Sequence, residues 1–383
     1  MTPTTLLLFL IAFLVGSDEF LLGPILTPVG ADLGVAPERI TLFIGAYALP
    51  VALLAPVFGA LSDRHGRRAV LLPAVVLFCL GSLGTAGAPG YGLALLTRVV
   101  TGIGAAGLLP VAFACAADSG PARAPANIAA VQAGLTGGII LAPLYGAWVT
   151  GLFGWQWAFA GLALAAALTL PGLVALRGGT APTGAAPSGP VFVPGAAGAI
   201  LAMGFGLGGA VGVYALAGER LRDLTGFETG GVGLVYAGFG LLTLAGNLLM
   251  PRVIGQVRDG RQLMQLCLAG VLVAIVALFA LPLGPMAACL ALIFWAGLGG
   301  LGAPALQNHL ATLSDSRRGT LMALGASALN LGVAVWSTLA GMGFAHSPAL
   351  VAAQATATIG LAIGALAPRR GRQQAGCVTP HVR

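Results

Sequence analysis

The chain has 383 residues, of which 58% are hydrophobic and only 8% charged, with a mean hydropathy of +0.96. A typical soluble domain carries roughly 25% charged residues, so the composition excludes a water-soluble globular protein and points to a chain solvated mostly by lipid. The net charge of +7 comes from 18 basic residues, all arginine, against 11 acids; they cluster in alternate loops between apolar runs, so nucleic acid is not a predicted partner.

A bilayer core of about 30 Å needs roughly 20 apolar residues per helix. On that measure the sequence predicts twelve spans, near 5–27, 40–61, 69–88, 91–114, 126–150, 156–176, 195–217, 229–250, 262–281, 286–308, 319–342 and 349–367. The N-terminal MTPTTLLLFLIAFLVG has no basic n-region and no small-residue cleavage site, which predicts a retained first span, not a removed signal.

Span 1 carries Asp18 and Glu19 near its middle or slightly outward, where an ionised acid is expensive. Neighbours on a helix point about 100° apart. One carboxylate is therefore predicted to face a central cavity and the other a neighbouring helix or the outer vestibule. Either is a candidate for a coupling acid, and a buried ion pair with Arg98 is the competing role.

Between spans 2 and 3 lies GALSDRHGRRAVL, Gly59 to Leu71, whose charge predicts a tight loop at a membrane surface. Gly59 is predicted to let span 2 approach a neighbour. Asp63 is expected to accept from orphan N–H groups at a helix start, and Gly66 to make a turn that L-residues resist. Arg98 follows Tyr91 by seven residues in span 4, placing it about 10 Å from the outer end. At that depth it needs a cavity or a partner. In span 5, Pro143 removes a backbone hydrogen bond and predicts a kink.

Residues 177–194, RGGTAPTGAAPSGPVFVP, read as a flexible cytoplasmic linker. The predicted division is one six-helix bundle over 1–176, a second over 195–368, and a cytoplasmic tail over 369–383. The halves echo each other: Ala-Asp-Ser at 117–119 precedes span 5 and Ser-Asp-Ser at 314–316 precedes span 11. The stretch PRVIGQVRDGRQ after span 8 looks like a decayed copy of the Gly59 loop, keeping Arg258, Asp259, Gly260 and Arg261. Two six-helix repeats point to a transporter with its site at their interface.

With the N-terminus inside, 14 arginines fall on the cytoplasmic side, three (Arg39, Arg220, Arg222) in outer loops, and Arg98 in a span. That asymmetry predicts both termini in the cytoplasm. Five cysteines lack C-x-x-C spacing, so neither zinc nor a disulfide framework is predicted. No H-E-x-x-H, G-x-S-x-G or His/Cys set occurs, so no metal, cofactor or enzymatic activity is expected. Tyr47, Asn127, Gln132, Tyr236 and Asn330 are polar residues in spans that are candidates for lining a cavity.

These features together resemble the major facilitator superfamily, in particular its drug:proton antiporter and arabinose-efflux-permease-like branch. Gly59, Leu61, Asp63, Arg64, Gly66, Arg67, Arg68 and Leu71 fit the family's loop G-x-L-a-D-r-x-G-r-k-x-x-l. The resemblance implies a cytoplasmic gate at these residues, with Asp63 locking against helix 11 in the outward-open state. Leu95, Arg98, Gly102, Gly104, Ala105 and Ala106 resemble l-x-x-R-x-x-q-G-x-g-a-a, with Thr101 replacing Gln, which implies that Arg98 takes part in proton coupling. Gly138, Pro143 and Gly146 resemble a helix-5 antiporter motif with alanine at two glycine positions, Ala142 and Ala147; the family reads its kink as a seal against proton leak. Gly154–Phe159, GWQWAF, resembles G-W-R-W-x-F with Gln156 in place of Arg.

What the resemblance implies is an all-α, twelve-helix carrier that exchanges protons for a small-molecule substrate such as a drug, sugar or metabolite. It would work in a bacterial inner membrane, as a monomer and without a cofactor. A proton symporter or facilitator importing a small solute is the alternative.

Overall fold

Lipid offers no hydrogen bonds, so a chain of this composition must satisfy its backbone within helices. The computed structural model, which describes residues 2–120, 122–176, 193–254, 256–257, 260–314 and 317–367, is built in that way, with no strand among those residues. It contains twelve helical segments long and apolar enough to cross a membrane.

Span 1 is α1 (Pro3–Phe20), a 3-10 turn (Gly23–Ile25) and α2 (Leu26–Asp32). Thr2 caps its start and Pro3 takes the first helical position, where a missing N–H costs nothing. Span 2 adds a 3-10 turn (Pro37–Ile40) to α3 (Thr41–His65). Spans 3 to 6 are α4 (Arg67–Ala86), α5 (Tyr91–Ala117), α6 (Ala124–Phe153) and α7 (Trp155–Ala175). Span 7 joins α8 (Ala196–Leu201), a π-helical stretch (Ala202–Leu207) and α9 (Gly208–Thr225). Spans 8 to 12 are α10 (Thr229–Ile254), α11 (Gly260–Ala280), α12 (Pro285–Thr312), α13 (Arg318–Phe344) and α14 (Pro348–Ala365).

Every predicted span is present, and the differences lie at charged ends. The tight loop expected at Gly59–Leu71 shrinks to a single joint, Gly66 (φ 90°, ψ 151°). Asp63 and Arg64 close α3, while Arg67 and Arg68 open α4. Gly154 (φ 97°, ψ 157°) joins α6 to α7 in the same way. Both glycines hold a left-handed φ that L side chains resist. Arg220 and Arg222, expected in an outer loop, instead lie in the last turns of α9, where hydrogen bonds engage them. Pro143 sits inside α6, which continues as helix through it. Most of the linker and tail, and Arg258, Asp259, Asp315 and Ser316 of the repeat, lie outside the described residues.

Between helices in lipid the driving force is close packing, and small residues supply it. α1 lies against α6 backbone to backbone: a Cβ added at Gly138 would come within 2.6 Å of the Ser17 nitrogen and 2.9 Å of the Gly16 carbonyl carbon. Gly134 and Gly16 make equivalent approaches to Phe9 and Leu135. α4 packs on α5 and α7, α11 on α12 and α14, and α9 on α13.

The first six spans meet the last six at the end away from Asp63. There Gly341 of α13 rests on Thr41 and the Glu38 carbonyl, and Gly45 of α3 faces Thr338 and the Ala334 carbonyl. Gly233 of α10 lies against Ala147 and the Pro143 carbonyl of α6. At the Asp63 end a Cβ built at Gly59 would meet nothing within 4 Å among the described residues, and the Asp63 side chain is 63% exposed. The close approach expected of Gly59 is not made in this conformation.

Candidate functional site

Arg98 of α5 reaches Asp18 of α1 through both arms of its guanidinium, Nη1 donating to Oδ1 at 2.8 Å and Nη2 to Oδ2 at 2.7 Å. Both side chains are buried, at 1% and 0% exposure. The Arg98 carbon sits 4.8 Å from the Tyr47 ring centre and 5.4 Å from that of Phe159, so aromatic faces cover the cation. Local sequence makes this possible: Gly102, one turn beyond Arg98, lets α5 approach the α3 backbone at Tyr47. Arg98 Nε and the Tyr47 hydroxyl are buried without hydrogen-bond partners among the described residues.

Glu19, one residue on, points elsewhere. It lines a cavity of about 80 Å³ with Tyr47 of α3, Leu109 of α5, and Ala326 and Asn330 of α13. No hydrogen bond or ion pair to Glu19 is made among the described residues. Asn330 Nδ2 donates to the Ala326 carbonyl at 3.0 Å. The two adjacent acids are thus divided, one neutralised by arginine and one left on a cavity wall.

A larger cavity, about 140 Å³, is lined mostly by the last six spans, with Phe20 and Ile139 contributed by the first six. Phe20 of α1 and Ile139 of α6 face Tyr214 of α9, Phe239 of α10 and Trp295 of α12 across it. Tyr214 packs edge-on to Phe20, Tyr236 and Trp295.

Three of the other cavity candidates do different work. Asn127 is an anchor near the Asp63 end: its Oδ1 accepts from Thr5 Oγ1 (2.6 Å) and its Nδ2 donates to Ser119 Oγ (2.9 Å). Tyr236 is saturated, its hydroxyl accepting from the Gly218 N–H (2.7 Å) and donating to the Tyr214 carbonyl (2.7 Å). Gln132 is exposed on α6 and belongs to neither cavity.

At the charged joint Arg67 is the hub. Its Nη1 bonds Asp63 and donates to Ser62 Oγ (2.8 Å), while its Nε donates to Asp118 Oδ2 (2.7 Å) at the end of α5. Asp63 therefore pairs with Arg67 and does not cap a helix start; the cap position of α4 is Gly66, with no side-chain cap. Arg64 is exposed and Arg68 half-buried, neither in an ion pair among the described residues. Asp118 is missing from the sequence-derived set; its only signal is the repeated Ala-Asp-Ser triplet.

Gly138 and Gly146 of α6 seat α1, at Gly16–Ser17 and at Leu21. Pro143 is buried, its carbonyl turned toward Gly233 of α10. Trp155 Nε1 and Gln156 Nε2 both donate to Asp32 Oδ2, at 2.9 and 2.7 Å, tying the α6–α7 joint to the end of span 1.

The opposite end holds a second polar cluster that sequence reading did not single out. Thr27 Oγ1 donates to Glu219 Oε2 (2.6 Å), and Arg222 Nη1 donates to Glu219 Oε1 (2.7 Å) and to Thr27. Arg222 Nη2 also donates to the Pro24 carbonyl (3.2 Å). Span 7 is thereby clasped to span 1. Glu219 and Arg222, three residues apart on one helix face, were the available signal.

No group of three or more His, Cys, Asp or Glu side chains among the described residues gathers as a metal site. The arrangement offers instead two cavities between helices, one of them with a carboxyl group on its wall.

Comparison with known proteins agrees with this geometry. The chain is 27% identical to an uncharacterized MFS-type transporter, YtbD, of Bacillus subtilis (strain 168), over 89% of this chain and 88% of that one. It is 36% identical to a multidrug resistance protein B homolog of Mycobacterium tuberculosis (strain CDC 1551 / Oshkosh), over 34% of this chain and only 24% of that protein's length. The crystal structure of a D-xylose-proton symporter superposes with a TM-score of 0.75 at 17% identity, covering 94% of this chain and 96% of that one, a likeness of fold alone. The family model of the Major Facilitator Superfamily matches residues 8–337, and this multi-pass membrane chain belongs to that family of secondary transporters.

Proposed function

We propose that this transporter exports a small solute in exchange for protons by alternating access, with Glu19 as the proton-carrying acid and the Asp18–Arg98 pair as its fixed neighbour. The observation that carries the reading is the division of two adjacent carboxyl groups, one forked by a buried arginine and one on a cavity wall without a cation. An uncompensated carboxylate within a span is costly. A proton on Glu19 removes that cost, so Glu19 is protonated in one half-cycle and the solute is carried in the other, which couples the two fluxes. The antiporter-like glycines of α6 support the outward direction, as does the multidrug resistance relative.

The arginine bias supports an orientation with the Asp63 end and both termini in the cytoplasm of a bacterial cell. In that orientation the conformation described above faces inward. The two six-helix bundles then rock about the central site: the Thr27–Glu219–Arg222 clasp opens as Asp63 engages span 11. One copy of the chain suffices, since both cavities are built from its own helices.

An overexpressing strain, screened against a panel of growth inhibitors, supplies the compound it resists. That compound is then added to everted vesicles holding a respiratory pH gradient. The expected result is dissipation of the gradient by the wild type and none by Glu19→Gln. Full coupling in Glu19→Gln removes the assignment, and a compound that moves without any proton flux removes antiport.

A further inference from the structure

The larger cavity has a wall chemistry that selects among solutes. Apart from Thr243, its side chains are aromatic, aliphatic or sulfur-bearing, Met264 and Cys267 included, and none is charged. Thr243 is already engaged, donating to the Phe239 carbonyl at 2.9 Å. The Tyr214 hydroxyl is buried and has no hydrogen-bond partner among the described residues. A solute entering this space therefore meets ring faces and at most one free hydroxyl. Each hydroxyl of a polyol beyond the first would lose its water and gain nothing. An anion would find no cation, because Arg98 is held by Asp18. The volume, about 140 Å³, is close to the roughly 150 Å³ of an engineered apolar cavity that takes benzene.

We propose that this cavity binds one ring of a neutral, lipophilic solute carrying at most one hydrogen-bonding group, and that sugars, nucleosides and anions are excluded from it. The inference rests on the transport reading above and names the class of solute carried.

Benzophenone, neutral and with a single carbonyl, is a suitable probe because it photolabels nearby C–H bonds. The full chain, purified in detergent, is irradiated with it and the labelled peptides are mapped by mass spectrometry. Gly299 lies on the wall, and a Cβ built there has only the Trp295 ring at 4.0 Å, so Gly299→Phe fills the cavity without striking backbone. The expected result is saturable labelling of the peptide holding Met264, Cys267 and Leu268, displaced by diphenylmethane. D-xylose and uridine should leave it unchanged, and Gly299→Phe should reduce it about tenfold. Thermal unfolding of Gly299→Phe verifies its fold; if that variant unfolds, Ala303→Leu narrows the same space. Labelling scattered over lipid-facing residues such as Leu168 and indifferent to these variants overturns the proposal, as does displacement by D-xylose or uridine. No proton gradient is present, so intact labelling alongside failed coupling counts only against the role of Glu19.

Discussion

Arg98 holds Asp18 with two hydrogen bonds of 2.8 and 2.7 Å, and this fork leaves the adjacent Glu19 without a cation of its own. Removing one partner of such a buried pair strands the other charge, at a cost of about 3–5 kcal/mol, whereas replacing both with apolar groups is often neutral or better. Asp18→Asn and Arg98→Met are each expected to lower stability by that order in unfolding measurements in detergent. The double variant Asp18→Leu/Arg98→Met should recover most of the loss yet carry no solute. A double variant no more stable than either single one would show that the pair is not what the single changes break.

Stability and transport should separate at the charged joint. The Asp63 side chain is 63% exposed, so its pair with Arg67 is screened and Asp63→Asn should change stability by less than about 1 kcal/mol. Arg67, at 15% exposure, ties α3 to α5 through Ser62 and Asp118, so Arg67→Ala should cost about 1.5–3 kcal/mol. If Asp63 has the proposed gate role, engaging span 11 in the opposite conformation, transport is expected to fall severely in both. Wild-type transport by Asp63→Asn would remove the gate role.

The twelve spans were legible because each needs only a run of apolar residues, a property local to the chain. Arg98 and the two acids were legible as buried charges for the same reason. Which acid meets Arg98 was not, since the rotation of α1 is set by its glycine contacts with α6, more than 110 residues away. Asp118 escaped because its partner, Arg67, is 51 residues distant. Glu219 and Arg222 escaped because charge at the end of an apolar run reads as loop, while the helix in fact continues to Thr225.

The Thr27–Glu219–Arg222 clasp should bias the carrier toward the conformation described here. Gly45 lies against Thr338, and a Cβ built at Gly45 stays 3.1 Å from the nearest facing backbone atom, the Ala334 carbonyl oxygen, so Gly45→Cys paired with Thr338→Cys, in a background without native cysteines, reports closure at that end through disulfide formation. The oxidised pair is expected to stop transport and dithiothreitol to restore it. Adding Arg222→Ala should lower the cross-linking yield, since it removes the hydrogen bonds from span 7 to Thr27 and the Pro24 carbonyl. An unchanged yield would mean that the glycine contacts alone hold this end shut.

Gly138 sets the position of Asp18 and Glu19, through packing and not through chemistry of its own. A methyl group there meets the backbone of Gly16 and Ser17, the residues immediately before Asp18, and neither can yield by rotating a side chain. Gly138→Ala must therefore push α1 from α6 and draw Asp18 away from Arg98, an overpacking cost of about 1–3 kcal/mol. Gly137 is the internal control: a Cβ there makes ordinary contact, 3.6 Å from the Phe13 ring. Gly137→Ala should thus gain up to about 1 kcal/mol of helix propensity. The expected pattern is a lower unfolding temperature with lost proton coupling for Gly138→Ala, and an unchanged or higher one with normal coupling for Gly137→Ala. Equal behaviour of the two would show that α1 is positioned by contacts other than this backbone seat.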